Sequence, residues 1–193
     1  MSLQASDIIR ASIEVKQRLL ADEALLAAFG RAVDTVTDAF LAGHSVWFCG
    51  NGGSAADAQH LAAELSGRFR LDRSALPAEA LHVNTSYLTA VANDYGYDAV
   101  YSRLVEGYCR PGDILVGLST SGNSPNIVNA FASARARGIA TIGLTGASGG
   151  RMAPLSDMLL NVPSTDTPRI QEAHILLGHM LCELVERRIF IDG

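Results

Sequence analysis

The sequence predicts an α/β fold: a doubly wound, five-stranded parallel sheet with a helical extension at its N-terminus. Three observations carry this. From Ser45 onward, short apolar runs alternate with helical patterns. The runs are continuous instead of alternating apolar and polar, as strands are when helices cover both faces of a sheet. The links between them are short, and strand–helix alternation with short links builds parallel sheets.

Residues from Ala5 to Ala42 carry helical periodicity, with a break at Ala21-Asp22 or at Gly30. Ile8, Ile9, Ile13, Val15 and Leu19 form an apolar stripe too wide for an isolated surface helix. The segment 1–43 is therefore expected to pack across the domain or against another subunit. Strands are expected at Ser45–Cys49, Ala80–Asn84, Ile114–Leu118, Ala140–Leu144 and Met158–Val162, and helices at 54–66, 86–92, 98–109, 125–137 and 168–189. Gly146–Gly150 reads as a tight loop. Neither an internal repeat nor a linker interrupts the chain, so one domain is expected over residues 1–193.

Hydrophobic residues make up 48% of the chain and charged residues 18%, which excludes a disordered protein. A net charge of −5 argues against a nucleic-acid surface. Arg68, Arg70 and Arg73 form a local basic run that reads either as a phosphate pocket or, better for Arg70 and Arg73, as a solvated helix end. Cys49, Cys109 and Cys182 sit in apolar stretches at no metal-like spacing and read as buried, reduced thiols. The chain shows neither a leader pattern nor an apolar run of membrane length, so a soluble cytoplasmic protein with no membrane partner is expected.

Two loops carry the chemistry. After the first expected strand comes Gly50-Asn51-Gly52-Gly53-Ser54; after the third comes Ser119-Thr120-Ser121-Gly122-Asn123-Ser124. Each leads into a helix, whose first N–H groups are unsatisfied and favour an anion. One helix cap needs one hydroxyl, and the second loop has four. A loop for a phosphate or sugar phosphate is the better reading. Gly50-x-Gly52-x-x-Ala55 also satisfies a relaxed dinucleotide fingerprint, but the second strand ends at Val83-Asn84-Thr85 without the acidic residue that would hold a ribose.

Polar groups follow at helical spacing. His60 and Glu64 stand four apart on one helix face, where they form a surface ion pair, an acid–base pair or half of a metal site. Gln171, His174 and His179 lie on the last helix. Gln171 and His179 differ by about 80° around its axis, and His174 and His179 by about 140°. Spacing alone does not choose between the two histidines. Asn93-Asp94-Tyr95-Gly96-Tyr97 reads first as a turn between helices, with sugar binding as the second reading.

With these residues together, the chain resembles the bacterial phosphoheptose isomerase group of the SIS (sugar isomerase) domain family. The resemblance rests on Cys49 to Ser54, Asp57-Ala58-Gln59-His60, Ala92-Asn93-Asp94, Ser119 to Ser124 and Arg169-Ile170-Gln171-Glu172. It implies the flavodoxin-like SIS fold and an aldose–ketose isomerase that converts D-sedoheptulose 7-phosphate to D-glycero-D-manno-heptose 7-phosphate, the first step of bacterial ADP/GDP-heptose biosynthesis. It also implies one Zn2+ per subunit on His60, Glu64, Gln171 and His179, with Glu64 and His179 as the catalytic pair. Asn51, Gly52, Gly53, Ser54, Asn93 and Asp94, with Glu64 and Gln171, would hold the sugar. Ser119, Thr120, Ser121 and Ser124 would hold its phosphate. A homotetramer with sites at subunit boundaries is implied as well.

One position departs from the group's pattern: Pro168 stands where some relatives carry an acidic residue. Two alternatives remain. One is a non-catalytic SIS protein that binds a replication initiator, though that relative lacks the matches to Glu64 and His179. The other is an isomerase or sensor for a different sugar phosphate.

Overall fold

The structure, a computed structural model, describes residues 4–192; Met1–Leu3 and Gly193 lie outside the described residues. Five parallel strands, β1 (Val46–Gly50), β2 (Ala78–Ala80), β3 (Ile114–Ser119), β4 (Ala140–Thr145) and β5 (Met158–Asn161), form one sheet in the order β2-β1-β3-β4-β5. Helices α1 (Ala5–Ala21) and α2 (Glu23–Leu41) precede the sheet. They are followed by α3 (Gly53–Ser66), α4 (Thr85–Tyr95), α5 (Val100–Tyr108), α6 (Pro125–Ala136) and α7 (Thr167–Phe190).

The N-terminal break falls at Asp22 and not at Gly30. Asp22 ends α1 and caps α2, its carboxylate accepting the Leu25 N–H at 2.9 Å. The wide stripe of α1 divides: Val15 and Leu19 are buried, whereas Ile8, Ile9 and Ile13 stay exposed.

Apolar side chains cover both sheet faces, which is why the strands read as continuous runs. One face packs under α2, α3 and α7 through Phe29, Val33, Leu61, Leu177 and Leu181. The other packs under α5 and α6 through Tyr101, Leu104, Ile127 and Phe131. The helices come so close that glycines are required at two crossings. A Cβ on Gly117 in β3 would lie 2.3 Å from the Phe131 ring, and one on Gly178 in α7 would lie 2.4 Å from Leu61.

Two expected boundaries are corrected. The second strand is Ala78–Ala80, not Ala80–Asn84, because β1 pairs Val46 with Ala78 and Phe48 with Ala80. The chain then turns, and Asn84 becomes the cap of α4, its side chain accepting the Tyr87 N–H at 3.0 Å. That cap carries α4 through Asn93, Asp94 and Tyr95, which were expected in a turn. Gly96, at φ +86°, ends the helix instead. A 3-10 turn at Gly150–Leu155, absent from the expected elements, follows the tight loop after β4.

Gly178→Ala would force Leu61 off its rotamer at the α3–α7 crossing. Urea unfolding should show it less stable by about 1–3 kcal/mol, the usual cost of overpacking.

Candidate active site

Strand order reverses between β1 and β3, which are neighbours in the sheet while their following connections lead to opposite sides. Ligands of open parallel sheets bind at such a point, beyond the carboxyl ends of the strands. The loops after β1 and β3 both lie there.

The β1 loop turns at Gly52, whose φ of +57° favours glycine, and α3 starts at the next residue. Gly53 also sits against the last helix: a Cβ there would lie 2.8 Å from Gln171 Nε2. Ser54 is buried. On the other side of the switch, Ser119 is buried at the end of β3, and its Oγ lies 2.9 Å from Ser124 Oγ and 3.5 Å from Ser121 Oγ. Gly122, at φ +65°, passes so near the backbone of Gly149 that no side chain fits. Thr120 and Ser121 line a cavity of about 270 Å3 with Ser148, Ser164 and Thr167. Among the cavity's lining residues there is no charged side chain, so hydroxyls and backbone amides would be the groups that meet an anion.

Three turns of α3 carry Asp57, His60 and Glu64 toward α7. His60 Nε2 lies 2.9 Å from His179 Nε2 and 3.3 Å from Glu64 Oε1. One ligand atom from each of the three residues falls within 4.8 Å of the others. Two imidazole nitrogens aimed at each other leave at least one lone pair directed into the gap. Tetrahedral zinc with nitrogen ligands at about 2.0 Å holds those ligands about 3.3 Å apart, so the group has the donors and spacing for such an ion. Asp57 stands beside them. Burial holds its carboxyl above the ordinary value, and the two imidazoles only partly offset that effect.

The site predicted from sequence is thus brought together in most of its parts. Gln171 lies two turns before His179 on α7 and abuts Gly53. Asn93 and Asp94 are exposed at the end of α4, bonded to one another at 2.9 Å. The neighbouring residue that reaches the β1 loop is Tyr97, whose hydroxyl donates to Asn51 Oδ1 at 3.0 Å. Arg73 is not a solvated helix end. It is buried, pairs with buried Glu186 at 3.3 Å and donates to the Glu64 backbone carbonyl at 2.9 Å, which anchors the end of α3. The run looked solvated because its partner lies 113 residues away on α7. Arg70 is exposed beside Glu183. Cys49, Cys109 and Cys182 are free and buried, and burial pushes the last two thiols up to about 12.

The SIS domain pattern matches residues 5–146 of this chain. The chain belongs to the SIS domain family. Within the family it is similar to the phosphoheptose isomerase of Rhodospirillum rubrum, 58% identical over 82% of this chain and 85% of the relative. The phosphoheptose isomerase of Sulfurimonas denitrificans is 50% identical over 96% of this chain and 95% of its own. Among solved structures, that of the Neisseria gonorrhoeae phosphoheptose isomerase superposes with a TM-score of 0.88 at 43% identity, covering 94% of this chain and 96% of the other. The Francisella tularensis phosphoheptose isomerase gives 0.90 at 34%, covering 96% and 100%. This SIS domain protein is therefore an enzyme of the sugar-phosphate isomerase class.

One histidine of this SIS domain is structural. His174 is fully buried, and its Nε2 donates to the Thr145 carbonyl at 3.1 Å. It faces the sheet, while His179 faces α3, which separates the two candidates that spacing left equal. Burial lowers the His174 pKa from 6.5 to about 4. The unfolded chain thus takes up a proton that the folded chain refuses between these values. Stability contributed by neutral His174 is present above pH 6.5 and is lost as pH falls toward 4. Urea midpoints between pH 7 and pH 4 should show this one-proton slope, and His174→Gln should remove it.

Proposed function

We propose that this enzyme interconverts D-sedoheptulose 7-phosphate and D-glycero-D-manno-heptose 7-phosphate. The observation that carries the reading is the convergence of His60 and Glu64, on the helix that begins at one loop of the sheet switch, with His179 of α7, opposite a loop of stacked hydroxyls. Ketose–aldose conversion moves a proton between C1 and C2 and passes through an enediolate. It needs a base at carbon, an acid at oxygen and a hold on the phosphate.

Glu64 suits the carbon base. Its side chain is about one-fifth exposed, so it is accessible to a ligand yet held by the bond from Arg73 to its own backbone. His179 suits the proton partner at oxygen, since an imidazole ring carries both an N–H donor and a lone-pair acceptor. Asn51, Gly52, Gly53 and Ser54 face the sugar from the β1 side, with Asn93 and Asp94 at its far end. Ser119, Thr120, Ser121 and Ser124 bind the phosphate, which orients the reacting end from a distance.

His60, Glu64 and His179, joined by Gln171, would hold the ion, and we take it to be zinc, one per subunit. When bound, it supplies Lewis acidity toward a substrate oxygen. The exposed apolar side chains of Ile8, Ile9 and Ile13 on α1 support assembly into a homotetramer. We further read residues 1–193 as one domain, the setting as the cytoplasm, and the product as feeding ADP- or GDP-heptose for lipopolysaccharide or capsule. A protein that only binds a replication initiator would have no use for Glu64 beside His179.

Glu64→Gln keeps the size of the side chain and removes the base. Its kcat on sedoheptulose 7-phosphate should fall by about 10²–10⁴-fold, the usual contribution of a general base, while its melting temperature stays within a few degrees of the parent's. Turnover at the parent rate would remove Glu64 from the base position.

A further inference from the structure

Asn51 is not free to rotate its amide. Its Nδ2 donates to Asn126 Oδ1 at 2.9 Å, and Asn126 Nδ2 donates back to Asn51 Oδ1 at 2.9 Å. Asn126 lies in the first turn of α6, across the switch from Asn51, and is only 1% exposed.

The direction of this pair is dictated by the backbone. The Ile127 N–H is shared between the Ser124 carbonyl oxygen at 3.1 Å and Asn126 Oδ1 at 3.0 Å, and a flipped Asn126 amide would set its NH2 against that N–H. Avoiding that opposition turns the Asn126 NH2 toward Asn51, so Asn51 must present its oxygen in return. Tyr97 donates a second bond to the same Asn51 oxygen. Both lone pairs of that oxygen are then taken, as is one of the two Nδ2 hydrogens. What Asn51 retains among the described residues is one N–H.

We infer that Asn126 is a positioning residue: through the reciprocal amide pair it presets Asn51 as a single hydrogen-bond donor toward an acceptor oxygen of the sugar. The inference rests on the proposal that Asn51 binds the substrate. It gives Asn126 a role that neither helix propensity nor the phosphate loop requires. It also couples the two loops, since the residue two positions beyond Ser124 sets the amide that meets the sugar. A preset amide needs no reorientation on binding, which is where such positioning acts.

A double-mutant cycle tests it, with Asn51→Ala, Asn126→Ala and the pair, scored by kcat/KM on sedoheptulose 7-phosphate. Asn126→Ala should lower kcat/KM by about tenfold in the parent, the scale of one hydrogen bond, and by less than about twofold in the Asn51→Ala background. Equal losses in both backgrounds would overturn the inference, because a residue that merely supports α6 costs the same whether or not Asn51 is present. If Asn126→Ala does not fold, Asn126→Asp keeps the acceptor for Ile127 and removes the donor to Asn51, and it should show the same dependence on Asn51. If the parent does not turn over sedoheptulose 7-phosphate, the functional reading fails separately. The side-chain amide protons of Asn51 then decide the positioning by NMR. One slowly exchanging proton, lost in the Asn126 variant, upholds the preset amide, and two rapidly exchanging protons in the parent overturn it.

Discussion

The close crossing of α3 and α7 at Gly178 is the constraint on which the site depends. With only a hydrogen at that position, the Leu61 side chain fills the gap, and a Cβ there would lie 2.4 Å from it. His60 precedes Leu61 and His179 follows Gly178, so the contact that closes the core also sets the Nε2 atoms of two imidazoles 2.9 Å apart. One α3 turn beyond His60, Glu64 is tied down by Arg73, which is itself held by Glu186 of α7. The chemical group is thus a by-product of tight packing between two helices 119 residues apart in sequence. At the far end of α3 the same helices meet again, with Gly53 against Gln171.

A second constraint comes from the sheet. Because β1 and β3 are neighbours with connections running to opposite faces, their carboxyl ends leave an open crevice. The β1 loop sends α3 to one face and the β3 loop sends α6 to the other. The Asn51–Asn126 pair spans the crevice at its base, and the serine hydroxyls rise on one side of it. In the proposed function, binding and chemistry fall to different elements: α6 and its loop for the anion, α3 and α7 for the proton transfers. This division lets an enzyme hold a phosphate far from the reacting carbons while keeping those carbons at the helix crossing.

Much of this was legible in the sequence, and the parts that were not have physical reasons. Continuous apolar runs marked four of the five strands to within a residue or so, because burial on both faces leaves no other pattern. The edge strand β2 escaped because it is three residues long, carries Glu79 and is specified by pairing with β1 instead of by its own composition. Asn93-Asp94 looked like a turn because Asn and Asp prefer turns, yet the Asn84 cap and Gly96 stop frame them as helix. The loops and the His60–Glu64 spacing announced themselves locally. Asn126, Tyr97 and Arg73 did not, since their partners lie 75, 46 and 113 residues away. By spacing alone His174 and His179 were not separable; the resemblance pointed to His179, and the buried face of α7 sets His174 apart.

The measurement that bears most directly on the whole account is turnover of sedoheptulose 7-phosphate by the intact protein, taken as isolated, after chelation and dialysis, and after zinc is returned. The aldose product should form, its formation should stop when the metal is removed, and one zinc per chain should restore it. Unchanged turnover in protein shown by elemental analysis to be metal-free would contradict the role given to His60, Glu64 and His179. No turnover by folded, zinc-loaded protein would contradict the assigned reaction itself.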